Sequence, residues 1–466
     1  MDWFISDPKE WAEASFGQTE LGDARRTKRL VKLAAAMAND PAGSIPKQTE
    51  TWADAKAAYR LFDQEEVTFE AVAEQHWQLR HQCGPGTFLM ISDTTEIDFG
   101  RDCQAEGLGP TGNGSGKGLL LHSGLMLDGQ GERLLCLAGA SLLCRKPKPK
   151  KETAAQRLKR ERESERWGKL IDQIGPSPEG ARWIHVMDRE SDNFEVFCHC
   201  QDQGVDWVTR ARTLTRRILP EGASKTVPLR DFLKNVPVWS TLELAVPAKA
   251  KTRCEPARAA RTATLEVGFG TISLPVPKLK SPYLRERKTE PIRQWVVLAR
   301  EVNPPAGQER IEWVLYTSLP ITTLEEVLEL LRIYKLRWTI EEWHKALKTG
   351  ARVKERQLET KDRLAPLIAL LSIEALRLVQ LKTTARAEPD RPAEEVVPQR
   401  YLVMLKHARR MAAGAKLTVR NFFRGVACLG GFLGRKGDGE PGWQTTWRGW
   451  EKLVLLVRGY ELAPTG

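Results

Sequence analysis

Twice in this chain a short apolar run ends on an aspartate: Thr87-Phe88-Leu89-Met90-Ile91-Ser92-Asp93 and Trp183-Ile184-His185-Val186-Met187-Asp188. Runs of this length read as strands buried on both faces, and such strands need helices packed over them. The chain is therefore expected to build an α/β core. Thr94 to Asp98 continue the first extended stretch. A glycine-rich turn, Gly112 to Gly118, then leads into two further apolar runs, Leu119 to Leu127 and Leu134 to Leu143. The glycines lack the Gly-Lys-Ser/Thr ending of a phosphate cradle, so they read as turn residues. After Asp188, Arg189 to Asn193 open a helix, and Val205 to Thr209, Trp295 to Ala299 and Trp313 to Thr317 read as strands.

The stretch Thr322 to Gly350 has helical periodicity. Thr322 with Glu325 predicts a capping box at its start, and Gly350 a left-handed stop at its end. At about 100° per residue, Tyr334, Arg337, Glu341 and Lys348 fall within roughly 60° of one another. One face would then carry a phenol, a guanidinium, a carboxylate and an ammonium, suited to gripping phosphate beside a metal. The alternative is a solvated, salt-bridged face. Trp338, Trp343 and Tyr334, costly to expose, weigh against it.

Asp93, Asp188 and Glu341 come from separated segments, and packed together they would repel unless cations neutralised them. Oxygen ligation with open positions suits Mg²⁺ or Mn²⁺, and paired ions can assist both sides of a phosphoryl transfer. Glu96, Asp98, Asp192 and Glu342 lie close by as rival ligands.

Charge points to the partner. Lys and Arg number 72 against 60 Asp and Glu, a surplus of 12 that favours a polyanion. Basic clusters stand at Arg25 to Arg29, Arg145 to Lys151, Arg157 to Arg162 and Lys406 to Arg410. Asp23 is a fair N-cap, which would put Arg25, Arg26 and Arg29 on the first turns of a helix, either reaching phosphates or forming a basic surface. Cys198-His199-Cys200 has no second ligand pair at zinc spacing, so its thiols read as reduced cysteines. The acidic, polar start does not resemble a signal peptide, and no apolar run reads as a bilayer span, so the expected setting is cytoplasmic with no membrane partner.

The 466 residues suffice for two or three domains. Residues 1–80 read as a helical unit. A central domain over 81–384 contains a basic β insertion at about 211–310 and ends on an apolar helix near 363–381. Ala385 to Gln399 reads as a linker, and the helical tail, 385–466, carries Trp443, Trp447 and Trp450 on one face that a core or a partner must cover.

Asp93-Thr94-Thr95, Asp188-Arg189-Glu190-Ser191-Asp192 and the pattern Tyr334-x2-Arg337-x3-Glu341-x6-Lys348 together resemble the insertion-sequence DDE transposases. More narrowly they are similar to the group around the Tn-five transposase, whose third motif is called YREK. The likeness extends to Leu21-Gly22-Asp23-Ala24-Arg25-Arg26 in an end-binding domain and to Gly430 through Trp450 in the C-terminal segment. It implies a ribonuclease-H-like core, with Asp93, Asp188 and Glu341 as ligands of two Mg²⁺ ions that Mn²⁺ can replace. It further implies Tyr334, Arg337, Lys345, Lys348 and Arg210 as DNA contacts, and Trp313 as a platform for a base flipped out during a hairpin intermediate. Double-stranded DNA, as inverted-repeat ends and as target, is the implied partner of a homodimer in a paired-end complex. The implied site of action is a bacterial cell's nucleoid. A DNA-binding regulator or inhibitor without strand transfer is the alternative, disfavoured by three acids that a pure binder does not need.

Overall fold

The structure is a computed structural model and describes residues 7–146, 151–153, 156–157, 162–248 and 257–462. The basic clusters at 145–151 and 157–162 lie partly outside the described residues. The chain forms two units, one of residues 1–148, 178–181 and 338–466, the other of residues 149–177 and 182–337.

Side-chain caps start the helices at the beginning of the first unit. Asp7 opens α1 (Pro8–Phe16), Asp23 opens α2 (Ala24–Asn39), Thr51 opens α3 (Trp52–Leu61) and Thr68 opens α4 (Phe69–Gln78). Leu30, Leu33, Ala34 and Met37 of α2 are buried, as are Ala55, Ala58 and Leu61 of α3, so each helix turns one apolar stripe inward. Four strands follow: β1 (Gly86–Asp98), β2 (Gly109–Thr111), β3 (Gly116–Asp128) and β4 (Leu134–Leu143). β3 pairs antiparallel with β1 on one edge, and with β2 and β4 on the other. Asp93 does not end its strand. It sits mid-way along β1 opposite Ser123, because Thr94 to Asp98 keep pairing with His122 to Gly118.

In the second unit, α5 (Arg166–Ile174) precedes β5 (Ala181–Met187), and α6 (Phe194–Asp202) connects β5 to β6 (Asp206–Arg210). β5 and β6 run parallel, Ile184 opposite Asp206, which requires a crossover such as α6. Trp183, Ile184, Val186 and Met187 are all buried, as befits a strand covered on both faces. The insertion is β-rich as expected: β7 (Arg217–Pro220), β8 (Val227–Pro228), β9 (Ser240–Val246), β10 (Arg261–Leu274) and β11 (Ile292–Glu301) lead to β12 (Glu312–Thr317). Antiparallel pairing joins β6 to β12, β12 to β11 and β11 to β10. Next, α7 (Leu324–Lys335) carries its capping box one residue later than expected, on Thr323 and Glu326. Thr322 still helps, since its N–H and hydroxyl donate to Glu326 Oε2 at 2.6 and 3.0 Å.

The expected single helix to Gly350 is not uniform. Leu336–Trp338 is a 3₁₀ turn, α8 (Thr339–Lys345) follows, and Ala346–Gly350 is a π turn. Rotation per residue changes in such turns, so the even spacing of one face does not carry through them. Gly350 is not left-handed either. A side chain there would collide with the Trp447 indole, 3.0 Å from its Cβ position, and it is Arg352 that takes the left-handed conformation, φ 48°.

Behind α8 lies α9 (Lys361–Ala387), followed by α10 (Gln399–Ala408), α11 (Val419–Leu429) and α12 (Trp443–Leu462). By length and composition α9 could cross a bilayer, contrary to the reading of the bare sequence. Its apolar window is wholly buried within the protein. The expected linker is packed too: Ala393, Val396 and Val397 are buried, and the Ala393 N–H donates to the Leu417 carbonyl at 2.8 Å. Trp447 and Trp450 of the tail are buried in this same core, Trp450 stacked on Tyr401 at 5.3 Å.

Glu374 lies in the middle of α9, buried, with Arg377 at 3.5 Å. Burial pushes its carboxyl from the ordinary 4.5 up to about 7, against the pull of Arg377. The folded state therefore holds a proton that the unfolded state releases near pH 4.5. Its stabilising effect is complete below that pH and is lost as pH rises to about 7. Glu374→Gln should remove this dependence. Measured by urea midpoints, the wild type should lose up to about 3 kcal/mol relative to the variant between pH 4.5 and 7. Parallel pH profiles for the two proteins would show that Glu374 titrates as an ordinary carboxyl.

Candidate active site

The first unit brings together Asp93, Glu341 and His344, with one donor atom from each lying within 4.8 Å of the others. β1 supplies Asp93, whose Oδ1 accepts from the Thr94 N–H at 2.7 Å. The first turn of α8 supplies Glu341, and His344 follows one turn on, its Nδ1 4.0 Å from Glu341 Oε2. Trp343 anchors that helix: its indole N–H donates to the Ser372 carbonyl of α9 at 3.0 Å. The rival acids are engaged elsewhere. Glu96 accepts from Arg145 and from the Gly112 N–H, both at 2.9 Å, and Glu342 pairs with Lys382 at 2.6 Å. Asp98 accepts from the Gly100 N–H at 2.9 Å. Lys348 is half-buried beside the cluster. Burial and Lys354 push its ammonium pKa down, while Glu341, Glu96 and Asp93 hold it up. Lys345 is exposed.

The second unit holds Asp188, Tyr334, Arg337, Arg210 and Trp313. Asp188 follows β5 directly, and its Oδ1 accepts from the Glu190 N–H at 2.7 Å. Burial pushes this carboxyl above its usual range, with Glu190 adding to the rise. The Glu190 N–H, Arg337 and Arg166 oppose it. A divalent cation would favour the ionised form strongly at such a position. Tyr334 is buried at the end of α7; burial raises its phenol pKa, and Arg337 and Arg210 lower it. The Trp313 ring stands edge-on to Tyr334, centroids 5.4 Å apart. Arg210 donates to the Glu312 carbonyl at 3.0 Å. Asp192, the rival of Asp188, has both oxygens taken, one by Arg216 and the other by the Arg212 N–H at 2.8 Å.

In the N-terminal helices the three arginines part ways. Arg25 is 90% exposed and pairs with its neighbour Asp23. Arg29 pairs with Asp54 at 3.1 Å. Arg26 is held within the domain by the Leu21 carbonyl, Gln64 and Glu66 at 2.8, 2.8 and 2.9 Å. In the Cys198-His199-Cys200 triplet, His199 Nδ1 lies 2.8 Å from an Asp172 carboxylate oxygen and the ring stacks on Tyr283.

Three successive stretches of the chain match family models. Residues 8–67 match transposase DNA-binding, residues 157–373 the transposase DDE domain, and residues 373–465 the transposase Tn5 dimerisation domain. The chain belongs to the DDE transposases. It is a metal-dependent enzyme of mixed α/β fold, laid out as a DNA-binding segment, a catalytic core and a dimerisation segment. Asp188, the insertion and Glu341 fall within the matched DDE stretch, and β1 with Asp93 precedes it. Two carboxylates and an imidazole within 4.8 Å fit the divalent metal dependence of such a transposase. His344 escaped the sequence reading, although its place three residues after Glu341 on a helix was the available signal.

Proposed function

We propose that this transposase binds the inverted-repeat ends of its own element, cuts them free through a DNA hairpin and joins them to target DNA. The observation that carries this reading is the convergence of Asp93 and Glu341 donors from a strand and a helix in a DNA-binding, dimerising enzyme. Asp93, Asp188 and Glu341 are the proposed ligands of two Mg²⁺ ions, with Mn²⁺ able to substitute. Bound there, the ions supply charge stabilisation to the attacking and leaving oxygens. Tyr334, Arg337 and Lys348, the YREK residues, together with Lys345 and Arg210, grip the phosphates flanking the cut. Trp313 stacks on the displaced base. Arg25 and Arg29 reach the phosphates of the end, while Arg26 contributes mainly by holding α2 in place.

In this reading two copies pair two ends. Leu455 and Tyr460, 63% and 60% exposed on α12, offer an apolar face to the second copy. The protein acts on the bacterial nucleoid, in the cytoplasm. A fragment carrying the inverted repeats that flank its gene tests the proposal. Added protein and Mg²⁺ should give a complex of two ends, then nicked and hairpin products. Tight binding with no cleavage in Mg²⁺ or Mn²⁺ would instead identify a regulator.

A further inference from the structure

Asp192 is more than a rival excluded from the metal. Its side chain is 1% exposed and ion-paired with Arg216, itself 20% exposed. The other carboxylate oxygen accepts from the Arg212 backbone N–H at 2.8 Å. These bonds connect two loops. One leaves β5 and contains Asp188, four residues before Asp192; the other leaves β6 directly after Arg210, the last residue of that strand, and contains Arg212 and Arg216. Both loops start at the C-terminal ends of parallel neighbours, the place where α/β sheets present their reactive groups.

A second connection runs alongside. The Ser191 hydroxyl lies 2.7 Å from both the Asp188 carbonyl and the Thr209 hydroxyl. Arg210 is fixed in turn to the Glu312 carbonyl, beside Trp313. Asp188, Ser191 and Asp192 are thus each held by short polar contacts, the strongest being the ion pair between the buried Asp192 carboxylate and the Arg216 guanidinium. A helix cap would have served to start α6, and Asn193 already does so by accepting from the Glu195 N–H at 3.2 Å. Asp192 is therefore not needed as a cap.

We propose that Asp192 and Arg216 form a latch that positions Asp188 for metal binding and Arg210 for the scissile strand. The proposal rests on the reading of Asp188 as a metal ligand. Neither latch residue touches the ion or the DNA; both are positioning residues. Loss of such a supporting contact typically weakens metal binding by about 10–100-fold. A shift of about 1 Å in a reacting group can cost about 100-fold in rate.

The test uses the full chain with end DNA. Asp192→Asn/Arg216→Gln removes both charges together, so that no unpaired ion is left buried. Asp192→Asn alone is the companion variant, since the partly exposed Arg216 can turn towards solvent. Melting curves and end-binding affinity confirm that each is folded. Mn²⁺ affinity of the protein–DNA complex, read by electron paramagnetic resonance, should fall at least about 10-fold. Cleavage should fall about 100-fold at fixed Mg²⁺ and recover in part as the metal concentration is raised. Mn²⁺ affinity and cleavage within twofold of wild type, in either folded variant, would overturn the latch. Asp188→Ala, measured alongside, separates the two layers of argument. A loss of Mn²⁺ affinity there with none in the latch variants overturns the latch alone, whereas unchanged affinity in Asp188→Ala removes its premise as well.

Discussion

Asp93→Ala, Asp188→Ala and Glu341→Ala should each lower strand cleavage at least about 1,000-fold while end binding stays close to wild type. A thousandfold corresponds to about 4 kcal/mol, the several kcal/mol that a correctly held metal contributes to a charged transition state. The three variants should fail in different ways. Removing Asp93 or Glu341 leaves a cluster of one carboxylate and the His344 imidazole. Nitrogen ligation suits Mn²⁺ better than Mg²⁺, so residual activity in these two variants should be greater in Mn²⁺. Asp188 carries a carboxyl already pushed up by burial, so protons compete with metal there in the acidic range. Wild-type cleavage should accordingly fall as pH is lowered towards the carboxylate range, and added metal should move that fall to lower pH. Full cleavage by any of the three variants would remove that residue from the site. Loss of end binding in parallel with cleavage would make the residue a folding requirement.

The elements legible in the sequence were those whose signal is local. Asp188 could be read as following a strand because Trp183 to Met187 form one apolar run and the chain turns at once. Asp93 was misplaced on its strand because pairing, not apolarity, decides where β1 ends. The stretch Thr94 to Asp98, legible as extended, is held in β1 by its pairing with β3, so the strand runs on past Asp93. The same limit applies to the helix after Thr322. Apolar spacing of three and four is compatible with α, 3₁₀ or π turns, and the Trp447 indole packed on Gly350 comes from a segment about a hundred residues later.

Side-chain partners were the least legible feature. Arg25, Arg26 and Arg29 look alike in sequence. Gln64 and Glu66 nevertheless hold Arg26 back, and only the folded domain brings them near. His344, beside Trp343 on a buried helix face, reads as core. It is buried, yet its Nδ1 also faces Glu341. Ala385 to Gln399 has the proline and charge of a linker. Its backbone is nonetheless claimed by Leu417, so composition there misled.

Trp313→Ala should separate nicking from hairpin formation. A hairpin at a DNA end makes a turn that stacked bases cannot follow, so one nucleotide must leave the stack. An indole platform returns about 1–3 kcal/mol per base, which sets the expected loss of hairpin at about 5–150-fold. The position of Trp313 favours such a platform over simple packing. It is only partly buried, whereas Val314, Leu315 and Tyr316 immediately after it are buried. Its ring meets Tyr334 edge-on and leaves the strand opposite Ala299, a residue too small to cover it. Truncation to alanine should cost the fold little, because the neighbouring side chains retain their burial. The variant should therefore nick ends at the wild-type rate, accumulate nicked DNA, and join pre-cleaved ends to target normally. Equal defects on intact and pre-cleaved ends, or a melting temperature well below wild type, would make Trp313 a packing residue and leave the hairpin without its platform.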